Sequence, residues 1–165
     1  MFNIDYAALF NNFPPELATL LIAMIPIAEL RVALPIALGS FHLPLWSAFL
    51  WSFIGNLLPI LFILWWLEPV SNFLMRKSKF FNRFFTWLFS RTRKKFESSA
   101  KRYGLLIALA VFVGIPLPLT GAWTGAIAAF LFNIPFKKAL PSIAAGVIMA
   151  GIIVSLIYYG VLGLF

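Results

Sequence analysis

The sequence predicts an all-α integral membrane protein: an inverted repeat of a re-entrant helical hairpin plus a transmembrane helix, with an amphipathic interfacial helix between the halves. Three observations carry this. The 165 residues are 62% hydrophobic and only 11% charged, whereas a soluble domain is about 25% charged, so there is too little polar side chain to coat a water-facing surface. Two long apolar runs are each preceded by an apolar run broken by Pro and Gly. That break-then-span layout recurs at a fixed spacing. A chain this short holds one membrane domain, 1–165, divided into a first repeat (17–67), a basic segment (68–102) and a second repeat (103–165).

Residues 1–16 mix Phe2, Ile4, Tyr6 and Phe10 with polar residues and end on Pro14 and Pro15, which reads as an interfacial arm. With Asn3 and Asp5 and no basic residue there, the start does not read as a cleaved signal. Leu17 to Phe41 is apolar but interrupted by Pro26, Pro35 and Gly39, with Glu29 and Arg31 in its middle. Proline inside a helix removes a hydrogen bond and clashes with the preceding turn. A hairpin that enters the membrane and returns therefore fits better than one straight span. Broken backbone at membrane depth survives where protein or a water-filled cavity covers it.

Pro44 to Leu67 is a charge-free span of 24 residues, above the roughly 20 needed to cross. Trp46 and Trp51 near one end and Trp65 and Trp66 near the other form an aromatic belt. In 68–102, Phe73, Phe80, Phe81, Phe84, Phe85 and Leu88 follow helical spacing opposite Lys79, Asn82, Arg83 and Ser90. This predicts an amphipathic helix in the cytoplasmic interface; the alternative is a packed helix of a small soluble subdomain. The second interrupted run, Tyr103 to Phe132, breaks at Gly114, Pro116, Pro118, Gly121 and Gly125, and Pro135 to Phe165 is the second span.

Shifting the first half by 91 residues superposes Pro44 on Pro135, Ala48 on Ala139, Gly55 on Gly146 and Phe41 on Phe132. The net charge of +8 sets the orientation: ten of the thirteen Lys and Arg lie between Arg76 and Arg102. Positive charge beside membrane spans marks the cytoplasmic side and contacts anionic lipid headgroups, which is the partner expected of 76–102; nucleic acid is not. If both interrupted runs re-enter, Lys137 and Lys138 are cytoplasmic too, the loop near His42 is outside, and the second repeat is inverted. If both runs cross fully, the two lysines fall outside, against the rule.

Charge inside a membrane costs roughly 2.5–3.5 kcal/mol per residue and marks a function or a buried pair. Glu29 and Arg31 are thus the principal candidates: Glu29 as proton or cation carrier, Arg31 as its partner or the anchor of an anionic group. Side chains at i and i+2 of a helix point about 200° apart, so convergence needs a broken tip, which Pro26 and Pro35 would form. The alternative is a structural ion pair. At the second tip, Pro116, Pro118, Gly121, Thr120 and Thr124 offer open backbone and hydroxyls, with Gly121 and Gly125 alternatively a helix-packing face. Asn56 at mid-span either lines the cavity or bonds a neighbouring helix. His42 reads as an interfacial loop residue. With no Cys and one His, no metal site, cofactor or Ser-His machinery is expected, and the chain is not read as an enzyme.

The string Pro26-Ile27-Ala28-Glu29-Leu30-Arg31-Val32-Ala33-Leu34-Pro35 resembles the E-L-R-x-A-x-P signature of the putative small multidrug export protein family. The string from Gly114 through Pro116, Pro118 and Gly121 to Trp123 and Gly125 resembles that family's other signature, and Gly55-Asn56 with Pro59 fits as well. The resemblance covers nearly the whole chain. It implies export of small molecules across the plasma (inner) membrane of a prokaryote by a multi-pass protein. The layout is also similar to the DedA superfamily, whose two re-entrant hairpins imply transport of lipid carriers or proton-dependent transport. That superfamily carries Arg around its second hairpin; this sequence has none between Tyr103 and Pro135, so a phosphate-binding mechanism is not carried over. The expected function is a small secondary transporter, proton- or ion-coupled, moving a small molecule or lipid-linked substrate through a site shared by both tips. The alternative is a non-transporting scaffold that organises the bilayer or partner proteins. A homodimer through small-residue faces such as Gly121-Gly125 and Gly146-Ala150 is a further expectation.

Overall fold

The computed structural model describes residue 10 and residues 12–115 and 120–162. The described residues form helices and no strand: α1 (Pro15–Met24), α2 (Glu29–Gly39), α3 (Leu45–Lys77), α4 (Lys79–Tyr103), α5 (Leu105–Gly114), α6 (Ala122–Leu131) and α7 (Phe136–Leu162). Two are long and apolar enough to cross a membrane, over Leu45–Leu67 and Phe136–Val161. The outward surface of α3 agrees with a lipid solvent: Trp46, Phe62 and Trp65 are exposed, a poor arrangement in water.

The chain divides into two compact units, 1–58 with 148–165, and 59–147. In the first, α1 and α2 form a hairpin around Ile22, Ala23, Ala28 and Ala33, with Ile25, Val32, Ile36 and Phe41 packed against them. Pro15 opens α1, where its missing N–H costs nothing. The hairpin sits flush on the start of α3, because a Cβ at Gly55 would lie 2.9 Å from the Leu20 carbonyl carbon. Only glycine permits that approach. The end of α7 completes the unit, with Phe49 filling the space above Gly151 and the Tyr158 hydroxyl beside Gly39.

In the second unit, α5 and α6 form the corresponding hairpin. A Cβ at Gly146 would lie 2.7 Å from the Val113 Cβ, and the Ser142 hydroxyl donates to the Leu106 carbonyl. α4 packs on both hairpin helices: the fully buried Phe96 ring stands edge-on to Phe112 at 5.7 Å and to Phe132 at 4.9 Å, and Phe89 meets Phe130 at 5.7 Å. The earlier turns of α4 leave Phe80, Phe84 and Trp87 exposed. The amphipathic face thus serves two purposes, one end packing on protein and the other left bare.

Local features recur at the 91-residue spacing. The long helices begin at Leu45 and Phe136, each after a proline whose carbonyl accepts from the third and fourth residues on, Ser47 and Ala48 in one case and Lys138 and Ala139 in the other. His42 and Asn133, in the loops before those prolines, both hold a left-handed φ, 52° and 51°, a conformation that Asn and His tolerate better than most residues.

Three expectations are corrected. Pro35 does not break the first run: it lies inside the continuous α2, which gives up one backbone bond and is held by the hairpin's packing instead. The first apolar span is Leu45–Leu67 as expected, but its helix continues through Pro69 to Lys77, so Phe73 belongs to α3 rather than to the amphipathic α4. The helix yields only at Ser78, whose hydroxyl accepts from the Phe80 N–H at 3.3 Å as the next helix starts. Gly125 does not interrupt α6 either; it is interior to the helix.

Candidate functional site

The tip of the first hairpin is a tight turn over Ile25–Ala28. The Ile25 N–H donates to the Ile22 carbonyl at 3.1 Å, and the Glu29 N–H to the Ile25 carbonyl at 2.9 Å. Pro26 is exposed at the turn, next to Ile27, which is 87% exposed. Glu29 opens α2 with a φ of 51°, a left-handed conformation that costs a residue with a side chain roughly 1–2 kcal/mol. The residue is buried, 6% exposed. Strain of this kind persists where the surroundings over-determine it, commonly at functional positions. The first turn of a helix also favours a negative charge.

Arg31 is half-buried two residues on, close enough for the Glu29 charge to act on its guanidinium. Pro35 then adds a second backbone feature. Lacking an N–H, it cannot bond the carbonyl of Arg31 four residues earlier, a loss of about 3 kcal/mol in an ordinary helix interior.

Asn56 lies on the buried stripe of α3, which runs through Ala48, Ser52, Gly55 and Asn56. Asn56 is 3% exposed and Ser52 fully buried. Neither the Ser52 Oγ nor the Asn56 Oδ1 has a hydrogen-bond partner among the described residues. The sequence reading singled out Asn56 and missed Ser52. The available signal was the spacing: a hydroxyl four residues before Asn56 in a charge-free span shares its face. Thr19, also fully buried and also missed, donates its hydroxyl back to the Pro15 carbonyl at 2.7 Å and so has a local structural use.

The second tip is different in kind. Pro116 and Pro118 lie outside the described residues. Thr120 donates its hydroxyl to the Ile115 carbonyl at 2.9 Å, closing the tip, and Thr124 donates to the Gly121 carbonyl at 3.2 Å. Gly121 precedes α6 with a φ of 148°. Gly125 is a packing position, since a Cβ there would run into the Val113 side chain. The threonines and glycines are thus used within the second hairpin itself, while the buried Glu29 and the unpartnered oxygens of Ser52 and Asn56 belong to the first unit.

An apolar groove of about 700 Å³ also lies in the first unit, lined by Trp46, Phe49, Phe53, Ile148, Ile152 and Leu156 among others. No group of three or more His, Cys, Asp or Glu side chains that could hold a metal exists among the described residues.

The model of one protein family, described as putative small multi-drug export protein, matches residues 29–153. The match begins at Glu29 and takes in α2 to α6 and most of α7. No curated protein and no solved structure matches the chain.

Proposed function

This chain belongs to the putative small multi-drug export protein family, and on that premise we propose that it is a secondary transporter of the prokaryotic plasma membrane that exports a small molecule in exchange for a proton or another cation. The buried, backbone-strained Glu29 at the tip of the first hairpin carries this reading. A carboxylate kept at such cost in an apolar setting is suited to bind and release a cation as the site changes its exposure. Arg31 is its counter-charge and resets it when the cation leaves. Asn56 and the backbone opened at Pro35 complete the polar surface of the first unit. The apolar groove in the same unit supports a lipophilic cargo.

The proposed topology is two inverted repeats, each a re-entrant hairpin and one spanning helix. Helix length supports it: α1, α2, α5 and α6 have 10 or 11 residues each, about 15 Å, half the hydrocarbon thickness. Broken helices in inverted repeats are a common transporter layout. Lipids are the proposed partners of α4, whose basic side chains face headgroups while Phe80, Phe84 and Trp87 enter the acyl boundary. A homodimer would form through faces other than Gly125 and Gly146, which are occupied within the chain.

The test is flux in proteoliposomes across an imposed pH gradient, with a panel of lipophilic cargoes. Wild type carries cargo or protons, and Glu29→Gln abolishes the gradient-driven component. Equal flux in both proteins would remove Glu29 from coupling. The bare amphipathic face of α4 favours a second reading, a membrane scaffold. That reading predicts no flux in either protein and full tolerance of Glu29→Gln with Arg31→Gln.

A further inference from the structure

Two buried side-chain oxygens on one face of α3 have no hydrogen-bond partner among the described residues, and a backbone carbonyl on the same face lacks its regular helical one. Ser52 Oγ and Asn56 Oδ1 are buried and unpartnered. The third follows from covalent structure: Pro59, inside α3, has no N–H, so the usual helical bond to the Gly55 carbonyl cannot form. Gly55 lies between the other two on the stripe, and all three residues are buried. Buried polar atoms without partners are uncommon, and each asks for an explanation such as a bound ion. A serine in a helix ordinarily satisfies itself on the carbonyl four residues back, as Ser155 does on Gly151 at 2.8 Å; Ser52 does not.

We infer that Ser52, Gly55 and Asn56 form the binding site of a desolvated monovalent cation. The ligand set consists of a hydroxyl, an amide carbonyl and a backbone carbonyl, all neutral oxygen donors. That set suits a hard, singly charged ion, or the ammonium head of a cargo, which presents the same positive charge to the same oxygens. Helix carbonyls freed at a break are a recurring way to hold such ions within membranes. The Asn56 Oδ1 and the Gly55 carbonyl oxygen are acceptors only and repel an anion. The Pro59 gap sets the geometry, leaving one backbone oxygen open beside two side-chain oxygens a helical turn apart. The cation's role as coupling ion or cargo rests on the transporter reading; its binding does not, and is measured without any flux.

The experiment is thermal unfolding of the detergent-purified full chain, titrated at constant ionic strength with sodium chloride or methylammonium chloride against choline chloride. Choline has no N–H to donate to the oxygens, and its methyl groups keep its charge from close approach. Sodium, methylammonium or both raise the midpoint saturably above the choline baseline; sodium alone identifies an inorganic ion, and methylammonium alone an amine head. Ser52→Ala with Asn56→Leu weakens the apparent affinity at least tenfold, while its midpoint in choline equals or exceeds that of wild type. Asn56→Asp, which keeps the oxygen and adds charge, retains the titration at equal or lower cation concentration and guards against a folding defect in the double variant. A wild-type midpoint that neither cation raises above choline overturns the inference. So does a double variant that titrates like wild type.

Discussion

At a spacing of 91 residues, Ser52 and Asn56 of α3 stand where Ile143 and Val147 stand on α7, and all four are buried. The same shift takes Glu29 to Thr120, Arg31 to Ala122 and Pro59 to Ala150, while it takes Gly55 to Gly146 and Pro44 to Pro135. The residues that set backbone approach and helix starts are thus shared, and those that carry polarity are not. In the first unit the hairpin packs on α3 beside unpartnered oxygens; in the second it packs on α7 through an apolar stripe, with Phe96 of α4 buried against Phe112 and Phe132. On the proposed function, the second half is the stable frame and the first the working part, with stability given up where function needs strain or unpaired polarity.

The largest effect expected from this comparison comes from making the second half resemble the first. Ile143→Ser with Val147→Asn places two polar groups in an apolar stripe, at roughly 1–3 kcal/mol each, and lowers the unfolding midpoint sharply. The converse change, Ser52→Ala with Asn56→Leu, leaves the cation-free midpoint unchanged or raised. Two losses of similar size would mean that the oxygens of α3 are ordinary structural groups, and the contrast would collapse.

Next in size are the glycines that both halves share. Gly55→Ala meets the backbone of Leu20, and Gly146→Ala meets the backbone of Ala110 and the Val113 side chain. Each should cost about 1–3 kcal/mol, as overpacking does. Gly160→Ala, with open space around it, should instead stabilise the helix by about 0.5–1 kcal/mol. Loss at one shared glycine alone would show that the hairpins are held by different contacts. The smallest effect is Thr120→Val, which removes the hydroxyl bond to Ile115 for about 1 kcal/mol and leaves flux intact.

The membrane class, the helical content and the two long spans were legible in the sequence because composition and run length decide them. The helix starts at Leu45 and Phe136 were legible from Pro44 and Pro135. Helix ends were not: proline signals a break, yet Pro35, Pro59 and Pro69 lie inside helices, because surrounding packing can absorb one lost backbone bond. At the site, Glu29 and Arg31 stood out because charge is rare in so apolar a chain. Ser52 did not, since a single hydroxyl in a span usually bonds its own helix. Its significance appears only when the partner is found to be missing. The left-handed φ of Glu29 is likewise a tertiary outcome, with no glycine to announce it.

On the proposed function, the division of labour is that the first half works and the second half frames it. It is tested most directly by gradient-driven flux in proteoliposomes for wild type, Glu29→Gln and Thr120→Val, reconstituted at equal amounts of folded protein. Glu29→Gln is expected to lower flux at least tenfold, the equivalent of about 1.4 kcal/mol or more, and Thr120→Val to stay within about twofold of wild type. Equal impairment at both tips, or an active Glu29→Gln, would contradict it.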